Sequence, residues 1–312
     1  MKKFFLSALL IGSLLACKNN TTISTSTSSL FNDDSNDSAN NLISYYNAVI
    51  EYDSNASRMI DNLLNNDYNK LDEMIQAKQK TNALLTWTSF IGMNPSTNVG
   101  YGTNQINILQ PEDYLDKNLS AKIKPLIEKV SQSFSETKKN YEELKKYYTN
   151  EDYKDDNWTK GSDLLGKINI SSTEYYKNRD EFLRIIDTSV EEAEEKILED
   201  HSIKEAILHA KKTLKTVDEM ADLVADESTS IEAIEKTYTL LEKRLESSKS
   251  INQDKLKEQN KLEPFNSFYK AIEDIIGSIR KAKRDGEISD ADYKDINYKY
   301  SYVISTYNRF VK

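Results

Sequence analysis

The sequence predicts an all-α protein, an elongated bundle of long antiparallel helices with one long irregular loop at about residues 86–121. Two observations carry this. Apolar residues recur at alternating spacings of three and four over most of the chain, which puts them on one face of a 3.6-residue helix. The helix breakers are concentrated: Gly92, Gly100, Gly102, Pro95 and Pro111 all lie between Thr86 and Ala121, where no period is sustained.

The chain opens with Lys2, Lys3 and a short apolar run from Phe4 to Leu15, ending in Leu14-Leu15-Ala16-Cys17. The run is too short to span a bilayer and reads as a signal peptide over residues 1–16. A small residue directly before the single cysteine is what lipoprotein signal peptidase requires, so Cys17 is the expected lipidation site. Palmitate-type acyl chains there would anchor the protein without spanning the membrane. Residues 17–38, with TTISTSTSS and NDDSNDS, have little to bury and are expected as a disordered tether. One helical bundle domain is expected over residues 39–312.

Within that domain Leu42, Tyr45, Val49, Ile60 and Leu63 mark a first helix, and Leu71, Met74 and Ile75 a second, with Asn66-Asp67 as an interruption. A long seam follows through Ile123, Ile127, Val130, Phe134, Thr137, Tyr141, Leu144 and Tyr148. The next runs through Tyr175, Arg179, Phe182, Ile186, Val190, Ala193 and Ile197; Arg179 interrupts it, its stem able to lie along the seam while its head reaches water. Ile203, Ile207, Ala210, Leu214, Val217, Ala221 and Val224 make another, and Ile231, Ile234, Tyr238, Leu241, Leu245 and Ser248 the one after. Phe265, Phe268, Ile272, Ile275 and Ile279 give the penultimate helix, with Pro264 placed in its first turn and Asp285-Gly286 ending it. Ser289 with Asp292 forms a capping box that opens the last helix, through Ile296, Tyr300, Val303, Tyr307 and Val311.

The irregular loop carries Trp87, Phe90, Ile91, Met93, Ile106, Ile108 and Leu109, enough apolar surface to pack against the bundle, with a short strand pair near Gln105 to Leu109. The stretch YYTNEDYKDDNWTKG, Tyr147 to Gly161, gathers Glu151, Asp152, Asp155 and Asp156 among tyrosines and a tryptophan. It fails as a calcium loop: Lys154, Asn157 and Asp163 stand where an EF-hand needs a ligand, a glycine and a glutamate. A helix corner is the simpler account, with acidic residues favouring the dipole of a following helix and Trp158 folded onto the core. Tyr153, Asp155, Asp156 and Trp158 are its candidate ligand or partner surface.

This stretch, with Tyr147-Tyr148, Tyr153-Lys154-Asp155-Asp156-Asn157 and Lys160-Gly161, resembles the central signature of the YiiG-like bacterial lipoproteins, a family of unknown function. The lipobox and the Tyr-Asn motifs Tyr46-Asn47-Ala48-Val49-Ile50 and Tyr307-Asn308-Arg309-Phe310-Val311 resemble the family plan over most of residues 40–312. The resemblance implies a helical exported lipoprotein and brings no catalytic residue. The motif recurs as Phe265-Asn266-Ser267-Phe268-Tyr269. It would set Asn47, Asn266 and Asn308 beside buried stripes as devices that fix helix pairing, or as a polar ligand pocket, and would bring the first and last helices together.

Acidic side chains outnumber basic ones, 51 to 42, which argues against nucleic acid as a partner. His201 and His209, eight residues apart on one helix, are about 12 Å apart along its axis and do not share a metal directly. No phosphate loop, HExxH or G-x-S-x-G motif is present, and Glu191-Glu192 and Glu194-Glu195 read as solvated helix faces. The expectation is a non-enzymatic lipoprotein of the bacterial envelope, in the outer membrane, with no cofactor and no metal. It would meet the membrane through its acyl chains and a protein, glycan or lipid partner through its bundle. A surface-exposed adhesin or binder of a host factor is the alternative.

Overall fold

The periodic stretches are helices. A computed structural model describes residues 34–81, 85–87, 95–100, 105–226 and 229–311. The signal peptide, Cys17 and most of the tether lie outside the described residues, as do Phe90, Ile91 and Met93 of the loop. Where the tether was expected to run to residue 38, helix α1 (Asp34–Leu63) already begins at Asp34. Asp34 to Ser38 of the acidic stretch therefore still enter a helix, at the end where negative charge suits the dipole. Among the described residues, no helix is long and apolar enough to cross a membrane.

The described residues divide into two compact units, Asp34–Glu194 and Glu195–Lys312, where the sequence reading expects one domain. The first unit is built on α1, α3 (Lys117–Thr149) and α5 (Thr159–Ile197). Asn66-Asp67 does not interrupt α1 and α2 (Asn69–Ala77); a π-helical turn, Leu64–Tyr68, keeps the chain helical and rotates Asp67 fully into the core. There Asp67 accepts hydrogen bonds from the Tyr141 hydroxyl at 2.5 Å and from the Thr86 amide and hydroxyl at 2.8 and 2.9 Å.

Five cross-helix contacts fix the directions. Tyr52 meets Phe134 and Asp67 meets Tyr141, so α1 and α3 run parallel. Asp53 meets Tyr175 while Ile75 lies against Gly161, so α5 runs opposite to α1. The Thr137 and Ser171 hydroxyls, 2.7 Å apart, tie α3 to α5. A parallel helix pair needs a connection that returns along the helix length, and this explains the irregular loop. The chain leaves α2 at Ala77; beyond it Thr86 lies beside Asp67, and Ile108 and Tyr114 lie beside Tyr45, whose hydroxyl donates to the Ile108 carbonyl at 2.8 Å. On the way it forms the strand pair β1 (Asn98–Val99) and β2 (Ile106–Asn107), antiparallel with Asn98 opposite Asn107. A 3-10 turn at Pro111–Asp113 and Asp116, which caps the Asn118 and Leu119 amides, start α3.

Arg179 departs from its expected position. Its side chain is only 11% exposed and its guanidinium lies over the Tyr176 ring at 4.8 Å, so the head turns inward instead of reaching water. Its Nε and Nη2 donate to the neighbouring Asp180 at 2.9 and 2.7 Å. Against the desolvation that opposes its charge, Asp53 and Asp180 hold the guanidinium more firmly protonated. The Tyr175 hydroxyl donates to Asp53 at 2.6 Å and the Tyr176 hydroxyl to Asp61 at 2.5 Å.

The second unit is a ring of four helices: α6 (Lys204–Ala225) against α7 (Ile231–Ser248), α7 against α9 (Leu262–Asp285), α9 against α10 (Asp290–Val311), and α10 back against α6. The short α8 (Gln253–Glu258) joins α7 to α9. Ser230 caps α7 through the Ala233 amide, Gly286 ends α9 at φ 80°, and the Ser289–Asp292 capping box forms in both directions. The stripe of α10 is covered by α9 and α6 of its own unit, with the Tyr300 hydroxyl donating to Asp218 at 2.8 Å. The stripe of α10 thus finds its cover within its own unit. Asn266 is also exposed and not buried beside a stripe, while both polar atoms of the Asn47 amide and the Asn308 carbonyl oxygen are buried without partners. The Asn47 amide therefore does not act through paired hydrogen bonds.

Burial gives the fold an unusual pH dependence. Desolvation raises the Asp218 carboxyl from 3.8 to about 7 and the Asp61 carboxyl to about 6, although tyrosine hydroxyls act to lower both. Between about pH 4 and 7 these two carboxyls therefore bind more protons in the folded chain than in the unfolded chain, so they stabilise it fully in acid and lose that contribution as pH rises through 6 to 7. Thermal unfolding from pH 5 to 8 should show the melting temperature of wild type falling with pH. Asp218→Asn, a permanent mimic of the protonated acid, should flatten the slope. An unchanged slope in that variant would remove Asp218 as its source.

Candidate functional site

The corner from Tyr147 to Gly161 is set by its backbone. α3 ends at Thr149, Glu151 takes φ 63°, and one turn of helix α4 (Tyr153–Asp156) follows. Asn157 and Trp158 then adopt φ 55° and 70° before α5 begins. Asparagine tolerates this left-handed region, but a tryptophan there costs about 1–3 kcal/mol unless its surroundings enforce it. The enforcement is aromatic. Trp158 stacks on Tyr153 with ring centres 4.2 Å apart and planes 16° from parallel, and both rings are buried. Tyr148 lies against both, and Trp87 from the crossover packs on Tyr148 at 5.3 Å and Tyr141 at 5.9 Å. Trp87 has φ 45° and Lys78, which caps α2, φ 50°. Five of the six non-glycine residues with positive φ among the described residues thus belong to this corner and its immediate contacts, the sixth being Asn260.

The four sequence-predicted residues separate into three roles. Tyr153 and Trp158 form the stacked floor. Asp156 accepts the Tyr147 hydroxyl at 2.6 Å through one oxygen and the Lys160 amide at 2.9 Å through the other, so it caps the start of α5 while fixing the end of α3. Against a desolvation that would raise it, the Tyr147 hydroxyl and the Lys160 and Trp158 amides hold this carboxyl below the usual carboxylate range. Asp155 is exposed. Glu151 pairs with Lys154 and, at 3.7 Å, with Lys80. The acidic residues are therefore dispersed, and among the described residues no group of three His, Cys, Asp or Glu is placed to hold a metal ion. The last position of the α3 seam also shifts, Tyr147 being buried in place of Tyr148, because its hydroxyl follows Asp156.

Sequence reasoning missed two parts of the corner. Lys78, Gln79, Lys80, Glu151, Lys154 and Asn157 rim a shallow depression of about 600 Å³ over the edges of Tyr153 and Trp158, with Lys80 5.1 Å above the Tyr148 ring. Gly161, read as part of a motif, is a packing requirement: a Cβ there would stand 2.9 Å from Cε1 of Tyr147. The histidines are separate. The His201 Nδ1 accepts the Ile203 amide at 3.4 Å, whereas His209 lies between the Tyr269 and Ser247 hydroxyls at 2.5 and 2.8 Å. Burial holds both imidazoles below their ordinary pKa.

No protein-family model matches the chain, and no curated protein does. Solved structures share its fold, two of them as follows. An alpha helical protein from Bacteroides fragilis superposes with a TM-score of 0.56 at 20% identity, over 88% of this chain and 100% of its own. An uncharacterized DUF3829-like protein from Bacteroides thetaiotaomicron gives 0.52 at 19% identity, over 88% and 99%. At these identities the likeness is one of fold, and it agrees with the all-α class.

Four outcomes follow from the packing. Gly161→Ala should destabilise the chain by about 1–3 kcal/mol, since Tyr147 is pinned by Asp156 and cannot give way. Gly166→Ala, on the same helix with nothing near its Cβ position, should stabilise it by about 0.5–1 kcal/mol. Urea denaturation of the pair checks the sign of each. Trp158→Ala should cost about 3–5 kcal/mol, and Asp155→Asn less than about 0.5 kcal/mol; a calcium-dependent rise in melting temperature that Asp155→Asn abolishes would contradict the corner as a purely packed element.

Proposed function

We propose that the chain is an exported lipoprotein of the bacterial envelope, anchored in the outer membrane through acyl chains on Cys17, whose helical units have a non-catalytic binding or structural role. The observation that carries the non-catalytic part is the use made of four buried or half-buried aspartates. Asp53, Asp61, Asp67 and Asp218 each accept a tyrosine hydroxyl from another helix. A general acid or base must come within hydrogen-bond reach of a substrate proton, and these groups are instead committed to joining helices. The Lys2-Lys3 segment, the apolar run and Ala16-Cys17 support the anchor, and the resemblance of Tyr153 to Asn157 and the Tyr-Asn motifs to the YiiG-like lipoproteins supports the same reading.

Metabolic labelling with an alkyne analogue of palmitate tests the anchor. Wild type should incorporate the label into the membrane fraction, and Cys17→Ala should lose it, accumulating as precursor or as an unlabelled form. Equal incorporation in both would reject the assignment.

A further inference from the structure

Most large apolar side chains of the second unit face inward, but α10 turns Tyr298 and Tyr302 out, 76% and 55% exposed and one helical turn apart. Tyr302 forms one wall of a groove of about 410 Å³ whose other wall, on α9, consists of Leu262, Glu263, Asn266, Ser267 and Lys270. Asn266, the member of the repeated aromatic–Asn motif that the core does not absorb, lines it.

The charges at the groove are already matched. Glu263 accepts the Ser267 hydroxyl at 3.0 Å and pairs with Arg309. Lys270 pairs with Glu273 at 2.9 Å and Asp274 at 3.5 Å. A charged ligand would have to displace these pairs, so the groove favours a neutral one. Its remaining chemistry is an exposed aromatic face opposite a planar amide and a held carboxylate. The amide offers donors and an acceptor and the carboxylate only acceptors, a set that matches hydroxyls, which both donate and accept. The electron-rich ring face suits polarised C–H groups. A helical protein partner would need contiguous apolar surface, whereas here the tyrosines alternate with polar side chains.

We propose that this groove binds a neutral oligosaccharide, Tyr302 stacking on the C–H face of a sugar ring while Asn266 and Glu263 hydrogen-bond its hydroxyls. Tyr298 extends the same face by one turn. The proposal deepens the binding role proposed above and rests on it, but it does not depend on the anchor.

The test is calorimetric titration of the full-length protein, purified in a detergent without a sugar headgroup, with cellopentaose, chitopentaose and maltopentaose. At least one should bind, and Tyr302→Phe should bind it as wild type does. Tyr302→Ala should weaken it by about tenfold and Asn266→Ala by about fivefold. Ile170→Ser, an exposed apolar site in the first unit, should change nothing. If none of the three sugars binds, or if Tyr302→Ala binds as wild type, the proposal is overturned. The labelling experiment on Cys17 reads a different property, so either result can fail without the other.

Discussion

A tyrosine hydroxyl donating to a carboxylate on another element is the interaction on which both units depend. Tyr175 with Asp53, Tyr176 with Asp61 and Tyr141 with Asp67 join the helices of the first unit, and Tyr300 with Asp218 joins α6 to α10 in the second. The chain carries 19 tyrosines against 9 phenylalanines, and this pattern gives the excess a use: an aromatic body fills the core while its tip finds a fixed acceptor. Hydrophobic stripes alone would allow neighbouring helices to slide by a turn at little cost. A buried carboxyl group left without its donor costs far more than a misplaced leucine contact, so each pair selects one register.

The same constraint explains the crossover. Asp67 reaches Tyr141 because the π turn rotates it inward, and that contact aligns α1 parallel to α3. Two parallel helices cannot be joined by a short turn. The chain must travel back from Thr86 to Tyr114, and the residues it uses are anchored at both ends, by Asp67 and by Tyr45. The irregular region is thus the consequence of a helix direction.

At the corner the interaction acts over a short distance. Tyr147 and Asp156 close α3 on α5 within ten residues of chain, and the cost is backbone strain at Glu151, Asn157 and Trp158. The stacked Tyr153–Trp158 pair and Gly161, which leaves room for the Tyr147 ring, offset that strain.

Helix positions, caps and terminators were legible because they are local. The seams from Ile123 to Leu144 and from Ile203 to Val224 are buried as their period requires, and Pro264, Gly286 and the Ser289–Asp292 box stand where capping chemistry puts them. The corner was legible as a corner, and Trp158 as its buried ring, since acidic residues and a glycine between two periods leave few other readings. Partner choice was not legible. That the Arg179 guanidinium is held protonated when desolvated depends on Asp53, 126 positions earlier; that Asn266 faces a groove depends on α10; and that the chain forms two units depends on α10 packing against α6. A hydrophobic period says which face of a helix is buried and carries no information about which helix covers it, so pairing is decided only where distant polar groups meet in three dimensions.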